Sequence, residues 1–451
     1  MELRRYIGDR HFYKVTLAIA LPIMAQQFVA SFVNLIDNIM IGSVGATALT
    51  AVTVANRFYL IFNSTMFGFC GAAGIFIAQY YGACSHEKCQ KVLNINLFFA
   101  FIIGLLFMVS LWLFPTSILH LFTSNEIIIQ EALQYVKYAL WTYLPFAISF
   151  SIMMSLRAVG INKIQLLIGV LTVAINTTLN YILIFGHFGF PSLGIKGAAI
   201  ATAIARIIEM CIYLGVLISK KYYFIFEFKG IFHLDFTFIA SMVRKAIPLT
   251  INEVMYSIGL SLVFISYMRV DDYLIAAISV VDTVVQIALI IFSGLSSAIA
   301  ILIGNRLGAN QIDEAKANAR KLITFGVMCA IVNSSILACF APFIASCYNM
   351  DDIILNTIVT LLRIKACVLP FYVYNISIFY VLRAGGDALS TMLMDSGFLW
   401  VCNVFISTVI SLTLDIPLVT LYIIIESIDL VKIFVSTYFL RKEKWARNMT
   451  T

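Results

Sequence analysis

Asp37 lies in the apolar run NLIDNIMIG with no basic residue within helical reach. An ionisable side chain at bilayer depth costs about 2.5–3.5 kcal/mol on insertion scales, so it needs either a partner or a function. A carboxylate in that setting can change protonation as its surroundings change. It can also be held ionised by Na⁺ and neighbouring oxygens. The plainer alternative is an acid hydrogen-bonded at the outer membrane boundary. Asn176 and Asn180 are four residues apart, hence on one helix face, and Thr202 follows on the next apolar segment. Asp37, Asn176, Asn180 and Thr202 are therefore the candidate cation-coupling set, with Asp37 and Asn180 as possible Na⁺ ligands. Ordinary interhelical hydrogen bonds would use the same residues. Further along, Glu253 beside Asn252, Asp282 and Asp395 are candidates for a second acid or a substrate cavity, together with Arg57 and Asn34. Glu253 is the best second acid because it lies near the start of its helix, at a depth open to a central cavity. Arg206 and Glu209, three apart, read first as a mutual ion pair. Glu426, Asp429 and Lys432 read as self-compensating.

The segments that carry these residues are membrane spans. The chain is 61% hydrophobic and 12% charged, far from an ordinary soluble composition. A spanning helix needs roughly 20 apolar residues. Twelve stretches qualify, at about 15–41, 47–78, 92–114, 133–155, 163–185, 194–219, 246–268, 272–303, 320–345, 358–382, 388–413 and 416–440. The first lacks a short core with a cleavage site and is expected to remain as a helix.

These spans form two copies of one unit, offset by 226 residues, the separation of Pro22 and Pro248. In the same register Gly68 matches Gly294, Gly82-Ala83 matches Gly308-Ala309, and Leu156-Arg157-Ala158 matches Leu382-Arg383-Ala384. Six spans per copy bring both copies into the membrane from the same side. The expected fold is an all-α polytopic membrane protein: twelve transmembrane helices in two six-helix lobes related by a pseudo-two-fold axis along the membrane normal. Residues 1–219 are the first lobe, 220–245 an aromatic and basic interfacial linker, and 246–451 the second lobe with a short tail. Parallel repeats of this kind place a substrate path at their junction. The polar interiors have diverged: Asp37 aligns with Val263, and Asp282 with Asn56.

Basic residues concentrate in the even-numbered connections and both tails, for example Lys88, Lys163, Lys220, Lys316 and Arg441. Both termini are therefore expected in the cytoplasm, with the protein in the plasma (cytoplasmic) membrane. The net charge of +7 follows from that topology. It does not indicate nucleic-acid binding, because the cations are dispersed over short loops. Nine cysteines without a C-x-x-C pair and five histidines without ligand spacing give no cofactor or structural metal site. No nucleophile constellation appears, so an enzyme is not expected.

Several runs carry a family resemblance: LPIMAQQFVASFVNLIDNIMIG, QYYGA with its partner GNRLGA, INTTLNYILIFG, GIKGAAIATAIARIIE, the LRAGGD turn and the terminal KWARNMT. In order and at this spacing they resemble the multidrug and toxic compound extrusion (MATE) transporters of bacteria, over nearly the whole chain. The resemblance implies two V-shaped six-helix lobes, alternating access, and export of cationic or amphiphilic compounds in exchange for inward Na⁺ or H⁺. It also implies a monomer. By the same likeness Asp37, Asn176, Asn180 and Thr202 match positions associated with cation coupling. The chain departs from some members in helix ten, where LPFYVYNISIFYVLR has no acid. Glu253 also comes early in its helix, which counts against a Na⁺ site of that type in the second lobe. A lipid-linked oligosaccharide or lipid flippase of the same superfamily is the alternative. It would be expected to show a more cationic cavity than this chain offers.

Overall fold

The structure, a computed structural model, describes residues 6–123, 125–219, 236–271, 273–348 and 350–448. The side chains of 33–35, 38, 39, 46, 47, 236–238 and 276, Asn34 among them, lie outside that description. Twelve long helices account for nearly all the described residues. Helices one to six are Arg10–Val44, Ala46–Gly82, His86–Leu113, Glu126–Ala158, Lys163–Phe185 and Ile195–Ile218. Helices seven to twelve are Phe236–Val270, Ile275–Gly308, Ile312–Ser346, Asp352–Ala384, Ala388–Thr413 and Leu418–Arg441. Eleven are long and apolar enough to cross a membrane. Helix twelve has the length, but its middle carries Glu426, Asp429 and Lys432. Large apolar side chains such as Trp112, Leu121 and Phe434 stand exposed, as a lipid-facing surface requires.

Helix seven starts at Phe236, so residues 236–245 continue that helix rather than forming linker. Residues 220–235 of the expected linker lie outside the described residues.

The chain divides into two compact units: Ala25–Thr250, and Met1–Met24 with Ile251–Thr451. Each sequence half thus lends the start of one helix to the other's unit. The two breaks, after Met24 and after Thr250, are themselves 226 residues apart, and each follows a proline inside a helix, Pro22 or Pro248. In the first unit, a Cβ on Gly68 would collide with the backbone of Thr250. In the other unit, a Cβ on Gly294 would lie 2.6 Å from the Ala20 carbonyl oxygen and would strike Met24. The matched glycines are the points where the lent helix crosses helix two or helix eight at backbone distance.

The core of the Ala25–Thr250 unit joins Ala51, Phe62, Met66, Cys70, Tyr143 and Ala147. In the other unit one core joins Ile278, Val281, Leu361, Leu362 and Leu421. Another seats Ala20 among Phe292, Ala298, Ala330 and Leu369.

Candidate functional site

Within the Ala25–Thr250 unit, helices one, five and six bring four predicted residues together. Asn180 Nδ2 donates to Asp37 Oδ1 at 2.8 Å and to Asn176 Oδ1 at 3.3 Å. Asn176 Nδ2 donates to Thr202 Oγ1 at 3.3 Å, and the Thr202 hydroxyl passes its proton bond to the Ala198 carbonyl at 2.9 Å. The chain of donors runs from carboxylate to backbone through successive turns of helix five. Asn176 and Asn180 are buried, while Asp37 and Thr202 are half-buried. Asn180 Oδ1 is a buried acceptor without a hydrogen-bond partner. In this arrangement the amide shows its donor face to Asp37, which suits an ionised carboxylate. Turning the amide would show the free oxygen instead, which suits a carboxylic O–H or a cation.

Arg206 lies within electrostatic reach of Asp37 but is held by Glu209 at 2.7 Å. Its guanidinium also lies 5.0 Å from the centroid of the Phe146 ring. The expected Arg206–Glu209 pair is therefore present. Arg57 is exposed and forms no ion pair among the described residues; it does not serve Asp37.

The predicted second-lobe residues belong to a different chemistry. Glu253 pairs with Arg383 of the LRAGGD turn, whose side chain is only 5% exposed. Asp395 pairs with Lys432 at 3.1 Å and accepts from Asn252 Nδ2 at 3.3 Å. Asp395 sits in a π-helical turn, Leu393–Gly397, and Asn252 Oδ1 accepts the Ser396 backbone N–H there at 3.2 Å. Such wide turns free backbone groups for outside partners. Lys365 bonds both carboxylate oxygens of Glu426, at 2.7 and 2.8 Å. Asp282 is exposed, within electrostatic reach of Lys365 and Glu426.

Two expectations are corrected here. The helix-twelve charges compensate one another only in part: Lys432 lies within electrostatic reach of Asp429, but the ion pairs of Glu426 and Lys432 are with Lys365 and Asp395 of helices ten and eleven. Nor is Glu253 an open acid, because Arg383 already neutralises it. Sequence reading missed Lys365 as a participant. The signal was present, since Lys365 stands with Arg363 in an otherwise apolar span.

The LRAGGD turn also becomes intelligible. Leu382 and Ala384 are buried in the core, Arg383 holds Glu253, and Gly386 adopts φ +69°. A Cβ on Gly385 would strike the Trp445 backbone, and Asp387 caps helix eleven by accepting from Ser390 N. Arg447 Nη2 donates to the Gly386 carbonyl at 3.1 Å, and Asn448 Nδ2 to that of Gly308 at 3.5 Å. Three separate motifs of the sequence, GNRLGA, LRAGGD and KWARNMT, therefore meet at one end of the second unit.

Twelve long helices among the described residues, a twofold internal repeat and acids within the spans define a polytopic membrane transporter rather than an enzyme. The family model described as MatE matches residues 22–182 and again 248–409, one match per half. The chain belongs to the MatE family of multidrug efflux transporters. Among relatives, the "Probable multidrug resistance protein NorM" of Rhizobium meliloti (strain 1021) is 26% identical over 341 residues, 74% of this chain and 72% of that protein. The "Uncharacterized transporter YisQ" of Bacillus subtilis (strain 168) is 22% identical over 382 residues, covering 84% and 83%. The fold is similar to a solved outward-facing multidrug resistance MATE family transporter of the MOP superfamily, with TM-score 0.88, 17% identity and coverage of 98% and 97%. A MOP superfamily transporter from Pyrococcus furiosus Vc1, described by a reverse polarity of its binding pocket, gives TM-score 0.86 at 16% identity, with coverage of 98% and 97%.

Proposed function

We propose that the protein is a secondary antiporter of the plasma membrane that exports cationic or amphiphilic compounds in exchange for inward H⁺ or Na⁺. Both termini face the cytoplasm in this reading, as the distribution of basic residues indicates. The protein works as a monomer, and no bound cofactor is needed beyond the coupling ion.

The carrying observation is the Asp37–Asn180–Asn176–Thr202 chain, with its buried, unpartnered Asn180 oxygen. An arriving proton or Na⁺ neutralises Asp37, and the Asn180 amide turns to offer Oδ1. The bond from Nδ2 to Asn176 then breaks, so the signal passes along helix five. Substrate and coupling cation compete: loading Asp37 from outside rearranges helix one and weakens the substrate's hold. An inward-moving monovalent cation gains about 2.3 kcal/mol per 100 mV, roughly fifty-fold in concentration. The multidrug names of the relatives support the substrate class.

The test is export of a fluorescent lipophilic cation from proteoliposomes under an imposed Na⁺ gradient and, separately, an imposed pH gradient. Export under at least one gradient, lost in Asp37→Asn, is expected. Gradient-driven export that survives Asp37→Asn would overturn the coupling role.

A further inference from the structure

At the end of the Met1–Met24, Ile251–Thr451 unit where helix one begins, a cavity of about 740 Å³ opens against helices eight and nine. Asp9, His11, Arg306, Asn318 and Lys321 make its polar wall, and Phe12 heads an apolar one. The Lys321 ammonium stands 5.4 Å from the Phe12 ring centroid. The ion pairs at this end, Arg306–Glu314 at 3.0 Å and Lys316–Glu443, leave Lys321 and His11 unpaired among the described residues. The one acid in the wall is already engaged: Asp9 Oδ1 accepts the Phe12 N–H at 2.8 Å in the first turn of helix one. A second cavity of about 680 Å³ shares His11 and adds Arg10 and Lys14.

We propose that this cavity binds a phosphate-bearing anion, the headgroup of an anionic lipid or a soluble phosphate ester. Phosphate chemistry fits because Lys321 and His11, unpaired among the described residues, and the Asn318 amide line one cavity with the Arg306 guanidinium, of which Nη1 alone serves Glu314 and Gln311. The apolar wall would cover the glycerol and upper acyl groups of a lipid. A soluble ester has no use for that wall. On the orientation proposed above, this end meets the cytoplasmic leaflet, where anionic lipids concentrate and basic pockets between helices hold their headgroups.

The experiment is native mass spectrometry of the full chain released from detergent, with phosphatidylglycerol or phosphatidylcholine of identical acyl chains. Retained phosphatidylglycerol adducts are expected, weakened roughly fivefold for each cation removed in Lys321→Gln and in Arg306→Gln. Lys321→Arg should restore binding, and the exposed control Lys91→Gln should leave it unchanged. Displacement of phosphatidylglycerol by added glycerol 3-phosphate would support the phosphate site and assign it to a soluble ester. Resistance to displacement would support the lipid. Equal retention of both lipids, or phosphatidylglycerol binding indifferent to both glutamine variants, would overturn the proposal.

Discussion

Asp37 and Glu253 are both carboxylates on membrane helices, but their partners separate them. Asp37 meets a neutral amide, and the next acceptor on that amide is vacant. Glu253 meets a buried guanidinium. In the proposed mechanism the first gains or loses a cation with small rearrangement, whereas the second is neutralised by a covalently tethered one. Asn180→Leu removes both the donor and the free oxygen and should abolish gradient-driven export while leaving the protein folded, as size-exclusion profiles and transport rates would show. Glu253→Gln strands Arg383 in the interior and should cost about 3–5 kcal/mol of stability. The double variant Glu253→Gln, Arg383→Met should recover most of that loss in thermal unfolding of the detergent-solubilised protein. The Asp37 cluster was legible in the sequence because an acid and two amides four apart are conspicuous in apolar helices. The identities of the ion-pair partners were not: Arg383 reaches Glu253 from 130 residues away, and no helical periodicity encodes such a contact.

The helices themselves were readable from the length of apolar runs, and the repeat fixed their number. Helix ends were less so. Phe236–Lys245 mixes aromatic and basic residues as an interfacial linker would, yet it continues helix seven, because packing of the lent segment overrides local composition. The matched glycines were visible as a coincidence of register, and the structure supplies their cause in two backbone crossings. Gly294→Ala places a methyl against the Ala20 carbonyl and should destabilise by about 1–3 kcal/mol. An exposed glycine such as Gly215, with open space around it, should tolerate the same change or gain from it. Unfolding temperatures of the two variants decide the matter. Trp445 is 2% exposed and packs in the core with Ile303, Leu382 and Met394. Trp445→Ala should therefore cost about 3–5 kcal/mol, measured by the same melting experiment, even though it lies in a short terminal tail.

For the molecule as a whole, a symmetric scaffold carries unlike interiors. One unit holds a carboxylate with amides, and the other holds Glu426, Glu253 and Asp395 matched by Lys365, Arg383 and Lys432. The proposed coupling at the Asp37 cluster alone implies a simple electrical rule. One-for-one exchange of a monovalent cationic substrate against H⁺ or Na⁺ moves no net charge, so its export should be indifferent to an imposed potassium-diffusion potential. A neutral substrate should instead accumulate roughly fifty-fold more per 100 mV. Export assays at clamped voltages distinguish the two cases. The most direct measurement is cation release on substrate binding. Tetraphenylphosphonium is added to purified protein in weakly buffered detergent, with proton and Na⁺ electrodes recording. Competition at Asp37 predicts release of one of these ions by the unaltered protein, none by Asp37→Asn, and undiminished release by the double variant Glu253→Gln, Arg383→Met, which keeps the fold. Release that persists in Asp37→Asn, or vanishes in the folded double variant, would contradict a coupling site confined to the Asp37 cluster.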